Sequence, residues 1–327
     1  MGNMEQSKSR VVGIDISVKR TSYAMVDVRG NIITKDFFAT NEYPNVNDFV
    51  AELCRRVIEL TEANGGYESI RSIGISSPSA NYLTGCIENA ANLPWKGVVP
   101  LAAMLRDRMG IAVAVANDAH VTALGEYTYG SAHGMRNFII MSLGHGIGSC
   151  FFSEGAAHLG CDGFAGEIGH TCVVHNGREC GCGRRGCMEA YCAEKGIVAT
   201  ARELMAASDQ PSLMRQLDDL GPKSIAECCE QGDEMAIEVY RRTGEMLGLS
   251  VANYASVLDP EAIIFTGGIS NAGHWLFDPA YESFEKHVFH NIQGKVRFLR
   301  STIDDRERDM LGASALAWGI KEYSLFK

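Results

Sequence analysis

No stretch of the chain is long and apolar enough to span a bilayer, and Met1 to Arg10 have none of the apolar core that a secretory leader needs. A soluble, cytoplasmic protein is expected. Positive charge is scarce too: 30 Lys and Arg stand against 40 Asp and Glu, a net charge of −10. That deficit argues against a general nucleic-acid binder, which carries a basic stripe; no membrane partner is expected either, for want of a spanning segment. A winged-helix DNA-binding segment is not expected, because only ten residues precede Val11. Low-complexity tracts and free linkers are missing as well.

The composition is that of a globular protein. With 327 residues, 46% hydrophobic and 21% charged, the chain is long enough for two domains that each bury a core. Eleven cysteines, an odd number, fit a reducing compartment better than a disulfide framework. Cys228-Cys229 reads as a helix feature without chemistry.

Three other cysteines carry a stronger signal. Cys180-Gly181-Cys182-Gly183-Arg184-Arg185-Gly186-Cys187 follows Gly166-Glu167-Ile168-Gly169-His170, and three thiols with an imidazole are the ligand set of a closed, structural zinc site. Such closely spaced thiols reach one ion only if the backbone folds tightly, which the interleaved glycines permit. Scattered buried thiols do not come with this spacing. Glu167 and Glu189 flank the knuckle and are placed to grip a ligand, since the four metal positions are filled.

Val11–Ser17 and Tyr23–Val28 read as strands of a hairpin, with a third strand at Ile32-Ile33. After Asn45, apolar residues from Val46 to Leu60 keep the spacing of an amphipathic helix that ends at Gly65-Gly66. Strands at Ser72–Ser76 and Ile111–Val115 bracket a helix from Pro100 to Met109. The second half repeats the hairpin at Phe138–Phe152, then adds a long helix from Glu234 to Leu258 and a strand from Ala262 that ends in glycines. This is an alternating α/β chain of two lobes, 1–130 and 131–327, with a ligand cleft expected between them.

Asn117-Asp118 ends a buried strand, where open α/β sheets place ligands. Asp118 is therefore a candidate general base, and equally a candidate N-cap. Gly144-His145-Gly146 and Thr266-Gly267-Gly268 are Gly-rich turns after strands, suited to letting backbone N–H groups approach phosphate.

In this order the pieces resemble the ROK group of repressors, open reading frames and sugar kinases, most closely its bacterial glucokinase branch. The resemblance rests on Gly-Glu-x-Gly-His from Gly166 to His170 and on Cys-x-Cys-Gly-x-x-Gly-Cys-x-Glu from Cys180 to Glu189. It implies the actin-like ATPase (ribonuclease H-like) fold, zinc on His170, Cys180, Cys182 and Cys187, and Asp118 as catalytic base. Asn117, Glu167, His170 and Glu189 fall on the family's sugar-binding positions. Asp15, Lys19, Gly144, Gly146, Gly267 and Gly268 fall on the nucleotide side, with Mg2+ accompanying ATP. The group forms dimers or tetramers, so a homo-oligomer is expected.

The chain departs from that pattern in places. Such kinases read Asp-x-Gly-Gly-Thr-Asn in the first hairpin, and here the sequence is Asp15-Ile16-Ser17-Val18-Lys19-Arg20. His145 stands where a threonine is usual, and His120 where a second asparagine is usual. Lys19 and Arg20 read either as replacement phosphate ligands or as a solvated hairpin tip. Two functions follow: ATP-dependent phosphorylation of a hexose, glucose or a close relative, and a sugar-binding sensor with weak or no phosphotransfer.

Overall fold

In the computed structural model, which describes residues 8–321, the chain forms two compact units. The first comprises residues up to His133, Leu159–Phe164, and residues from Thr302 onward; the second comprises Gly134–His158 and Ala165–Ser301.

The first unit is built on a five-stranded sheet in the order β3-β2-β1-β4-β8. Strands β1 (Arg10–Ile16), β2 (Arg20–Asp27) and β3 (Ile32–Ala39) form the antiparallel meander. Helix α1 (Val46–Glu62) follows, capped by the Asn45 side chain, which accepts from the backbone of Asn47. Strand β4 (Ile70–Ser76) lies parallel to β1. A small sheet, β5 (Ala80–Asn81), β6 (Cys86–Glu88) and β7 (Val98–Val99), leads to α2 (Leu101–Met109) and to β8 (Ala112–Ala116), parallel to β4. Strand alternation divides the sheet's faces: Val12, Ile14 and Ile16 join Phe49, Leu53, Leu101 and Leu105 in one core.

The opposite face carries α3 (Asp118–Tyr129) and α9 (Arg308–Gly319). Gly74 is what lets α9 lie so close. A Cβ there would sit 1.9 Å from the Ala313 carbonyl oxygen.

The second unit has a sheet in the order β11-β10-β9-β12-β13. Strands β9 (Phe138–Leu143), β10 (Ile147–Ser153) and β11 (Ala156–Ala157) are antiparallel; β12 (Ala262–Thr266) and β13 (Arg297–Arg300) add in parallel. Between β11 and β12 run α4 (Glu189–Cys192), α5 (Glu194–Ala207), α6 (Pro222–Glu230) and α7 (Glu234–Leu258); α8 (His274–His287) follows β12. Their apolar faces share one core with Ile139, Met141, Ile263 and Phe265. Cys228 and Cys229 are buried in α6 as free thiols. Among the described residues no helix is long and apolar enough to cross a membrane.

Candidate functional site

In the second unit a 3-10 turn over Ile168–His170 brings the imidazole to the Gly-rich knuckle. The ligand atoms of His170, Cys180, Cys182 and Cys187 all lie within 4.8 Å of one another. The Cys180 Sγ is 3.7 Å from His170 Nδ1, and the Cys182 and Cys187 sulfurs are 3.7 Å apart. A tetrahedron with zinc–sulfur arms of about 2.3 Å has edges of about 3.8 Å, so the donor set fits the ion. Gly186 closes the turn at φ 78°, and a Cβ there would meet the Val174 carbonyl oxygen at 1.8 Å. Because Nδ1 faces the thiols, Nε2 is the nitrogen left for another partner.

Glu189, at the start of α4, has both oxygens engaged. Its Oε2 accepts from the Ile147 backbone N–H at 2.9 Å, and the Cys180 thiol lies 3.6 Å from Oε1. The carboxylate thus ties the knuckle to the first residue of β10. Gly146 allows this, since a Cβ there would come 2.7 Å from Oε2. Glu167 precedes the 3-10 turn and is exposed; His170 is half-buried.

At the carboxyl ends of β9 and β12 the two Gly-rich turns share one cavity of about 610 Å3, whose lining includes Gly144, His145, Glu194, Tyr240, Gly268 and Ile269. Gly267 (φ 85°) is held against Leu143, where a Cβ would meet the carbonyl oxygen at 2.4 Å. His145 projects its ring into solvent with Nε2 3.4 Å from the Glu194 carboxylate.

In the first unit, the two readings of Asn117-Asp118 separate. Asn117 is the N-cap, its side chain accepting from the His120 N–H at 2.8 Å, while Asp118 is the first residue of α3. Asp118 remains open to solvent, yet the surrounding protein displaces enough water to raise its carboxyl above the usual range. An Ala119 N–H donating to it at 2.9 Å counters that shift. Accessibility decides whether it can meet a substrate, and it is accessible. His120 is buried edge-on to Tyr82, and desolvation lowers it to about 4, so the ring is neutral.

Asp15, near the end of β1, is pushed up to about 8, first by burial and then by the charges of Asp309 and Asp118; Arg20 opposes this. Asp309, in the first turn of α9, is pushed up to about 6 by burial and by Asp118. Sequence reasoning missed Asp309, for no local motif marks it. Between Asp15 and Arg20 the hairpin closes without glycine: Ser17 N–H donates to the Arg20 carbonyl at 3.0 Å, and no residue of the turn has positive φ. Val18 and Lys19 are exposed, and the Arg20 guanidinium lies 5.3 Å from the Phe37 ring centroid.

The ROK family model matches residues 11–319. A glucokinase of Halalkalibacterium halodurans is 30% identical over 95% of this chain and 94% of its own length. A xylose repressor of Caldicellulosiruptor bescii is 26% identical over 85% of this chain and 71% of its own. Among solved structures, the ROK family glucokinase of Streptomyces griseus, in complex with glucose and AMPPNP, superposes with a TM-score of 0.75 at 29% identity, covering 94% of this chain and 99% of that one. With the fold of the actin-like ATPases and these matches along nearly its whole length, the chain belongs to the ROK family.

Proposed function

We propose that the protein is an ATP-dependent hexose kinase that converts glucose to glucose 6-phosphate. The observation that carries the reading is the cavity of about 610 Å3 lined by Gly144 and Gly268, a concave site where two Gly-rich turns follow the ends of two strands. Its size suits a nucleoside. Mg2+ would accompany the ATP phosphates and neutralise charge on the transferring group.

Asp118 is assigned as general base, taking the proton from the exocyclic hydroxymethyl oxygen as that oxygen attacks the γ-phosphorus. The accessible carboxylate at the end of β8 supports this assignment. Asn117 in the first unit, and Glu167, His170 and Glu189 in the second, are assigned to the sugar hydroxyls. The knuckle residues His170, Cys180, Cys182 and Cys187 would hold zinc, which supplies a rigid brace for the imidazole.

A second reading, a sugar-binding sensor, is favoured by one feature: the Ser17–Arg20 turn is tight, carries Val18, and offers no glycine for close approach to phosphate. A coupled ADP-release assay over a panel of hexoses tests the kinase. Turnover with glucose is the expected result; sugar binding with no ADP release from any hexose replaces the kinase with the sensor.

A further inference from the structure

The knuckle keeps a fourth thiol beside it that the metal site does not use. Cys172, two residues past His170, is exposed and stands outside the four mutually close ligand atoms of His170, Cys180, Cys182 and Cys187. Its sulfur makes a weak contact with the Val174 carbonyl at 3.6 Å.

The backbone pairs this thiol with one of the ligands. Cys172 and Cys187 form an antiparallel bridge, flanked by the Met188 N–H donating to the Thr171 carbonyl at 3.0 Å and the Val173 N–H donating to the Gly186 carbonyl at 2.8 Å. The two cysteines exchange no backbone bond with each other, so they occupy the non-hydrogen-bonded position of the ribbon. Residues opposite one another there have Cα atoms about 4.5 Å apart and side chains on one face. A disulfide spans Cα separations from about 4.4 Å upward, so this position suits one. The Cys172 sulfur already lies close to the chain just before its partner, for a Cβ on Gly186 would come 3.2 Å from it. Cys187 is fully buried, with its sulfur turned to Cys182 at 3.7 Å.

We infer that Cys172 and Cys187 are an oxidation site, which takes a hydroperoxide as oxidant and closes into a reversible disulfide that removes Cys187 from the metal knuckle. The Cys172 sulfur attacks one peroxide oxygen and the O–O bond breaks; the departing oxygen leaves as water with the thiol proton, and Cys172 becomes a sulfenic acid. The Cys187 sulfur then attacks the Cys172 sulfur. The S–S bond forms, the S–O bond breaks, and the hydroxyl leaves as a second water, with the Cys187 proton or, where that thiol is already ionised on a metal, one from solvent. Two electrons pass from the pair of sulfurs to the peroxide. Cys182 is also exposed, but its sulfur belongs to the ligand set, whereas an accessible thiol outside that set and next to a resolving cysteine is the one oxidised first. This preference rests on the zinc reading above.

The test uses the full-length protein as purified. Its zinc is measured, hydrogen peroxide is added, remaining thiols are alkylated, and the tryptic peptides are mapped by mass. Cleavage after Arg136, Arg178, Arg184, Arg185 and Lys195 puts Cys172, Cys182 and Cys187 on three different peptides. The expected product joins peptide 137–178 to peptide 186–195, with fragmentation placing the link at Cys172 and Cys187, and zinc is released in step with it. Cys172→Ser should slow both changes by about tenfold or more. Cys161→Ser, which removes another exposed thiol, should leave both unchanged. A dithiol with added zinc should restore the starting state. A link from Cys187 to Cys182 or Cys180 in place of Cys172, no link at all, or a Cys172→Ser protein that oxidises as fast as wild type overturns the inference. The mapping decides with or without zinc, so a protein purified free of zinc sinks the zinc reading alone.

Discussion

The Nδ1 atom of His170 lies 3.7 Å from the Cys180 sulfur, which commits one side of the ring to the knuckle and leaves Nε2 on the side away from that contact. The proposed metal site and the proposed sugar-facing donor can therefore share one side chain. With this geometry, purified protein is expected to carry about one equivalent of zinc by elemental analysis. Cys182→Ser should reduce that to less than about half an equivalent and lower the thermal midpoint by about 5 °C or more. A zinc-free wild type of unchanged stability would remove the knuckle from the account.

Asp118→Asn is expected to cut turnover by at least about 100-fold while sugar affinity stays within about twofold, because the amide matches the carboxylate in shape but does not accept the proton. The thermal midpoint should hold or rise, since the protein around this accessible carboxylate displaces water and disfavours its charged form. Steady-state kinetics beside sugar calorimetry checks both. Retention of a tenth or more of wild-type turnover would reassign the base.

Replacing Ser17-Val18-Lys19-Arg20 by Gly-Gly-Thr-Asn should raise ATP affinity and turnover and leave sugar binding unchanged. The present turn closes without glycine and exposes Val18, so the gain comes from letting backbone amides approach phosphate. Measurement at low and high salt distinguishes the opposite case: weaker, less salt-sensitive ATP binding would mean that Lys19 and Arg20 hold the phosphates.

His120 gives the protein an acid sensitivity of definite sign. Burial lowers its value from the usual 6.5 to about 4, so between those values the unfolded chain binds a proton that the folded chain does not. Its contribution is present above about 6.5 and is lost as pH falls toward about 4, by roughly 3 kcal/mol at most. Asp15 and Asp309 act in the opposite sense: their raised values favour the fold in acid and lose that contribution as pH rises through about 8 and about 6. Thermal melts of His120→Asn across this range should show a shallower decline toward acid than wild type. An identical slope would show that His120 is protonated in the fold.

Gly74→Ala should destabilise the first unit by about 3 kcal/mol, through overpacking against the backbone of α9. The added methyl would sit 1.9 Å from the Ala313 oxygen, and a helix backbone does not give way as a side chain does. Chemical denaturation measures it; a loss below about 1 kcal/mol would mean that α9 is displaced at little cost.

The clustering of His170 with Cys180, Cys182 and Cys187, the two hairpins, α1 with its Asn45 cap, and the full extent of α7 were all legible in the sequence, because each depends on spacing along a short stretch of chain. The division of labour between Asn117 as cap and Asp118 as the open carboxylate was not, since both residue types serve either role and only the backbone path into α3 separates them. The meeting of Asp309 with Asp15 and Asp118 was decided by tertiary structure alone. Long-range packing brings α9 back onto β1 and β4, which present Gly13 and Gly74 to it, and three carboxylates far apart along the chain come to feel one another's charge. No periodicity or local motif encodes that encounter, because its cause is the fit of a helix backbone against two glycines.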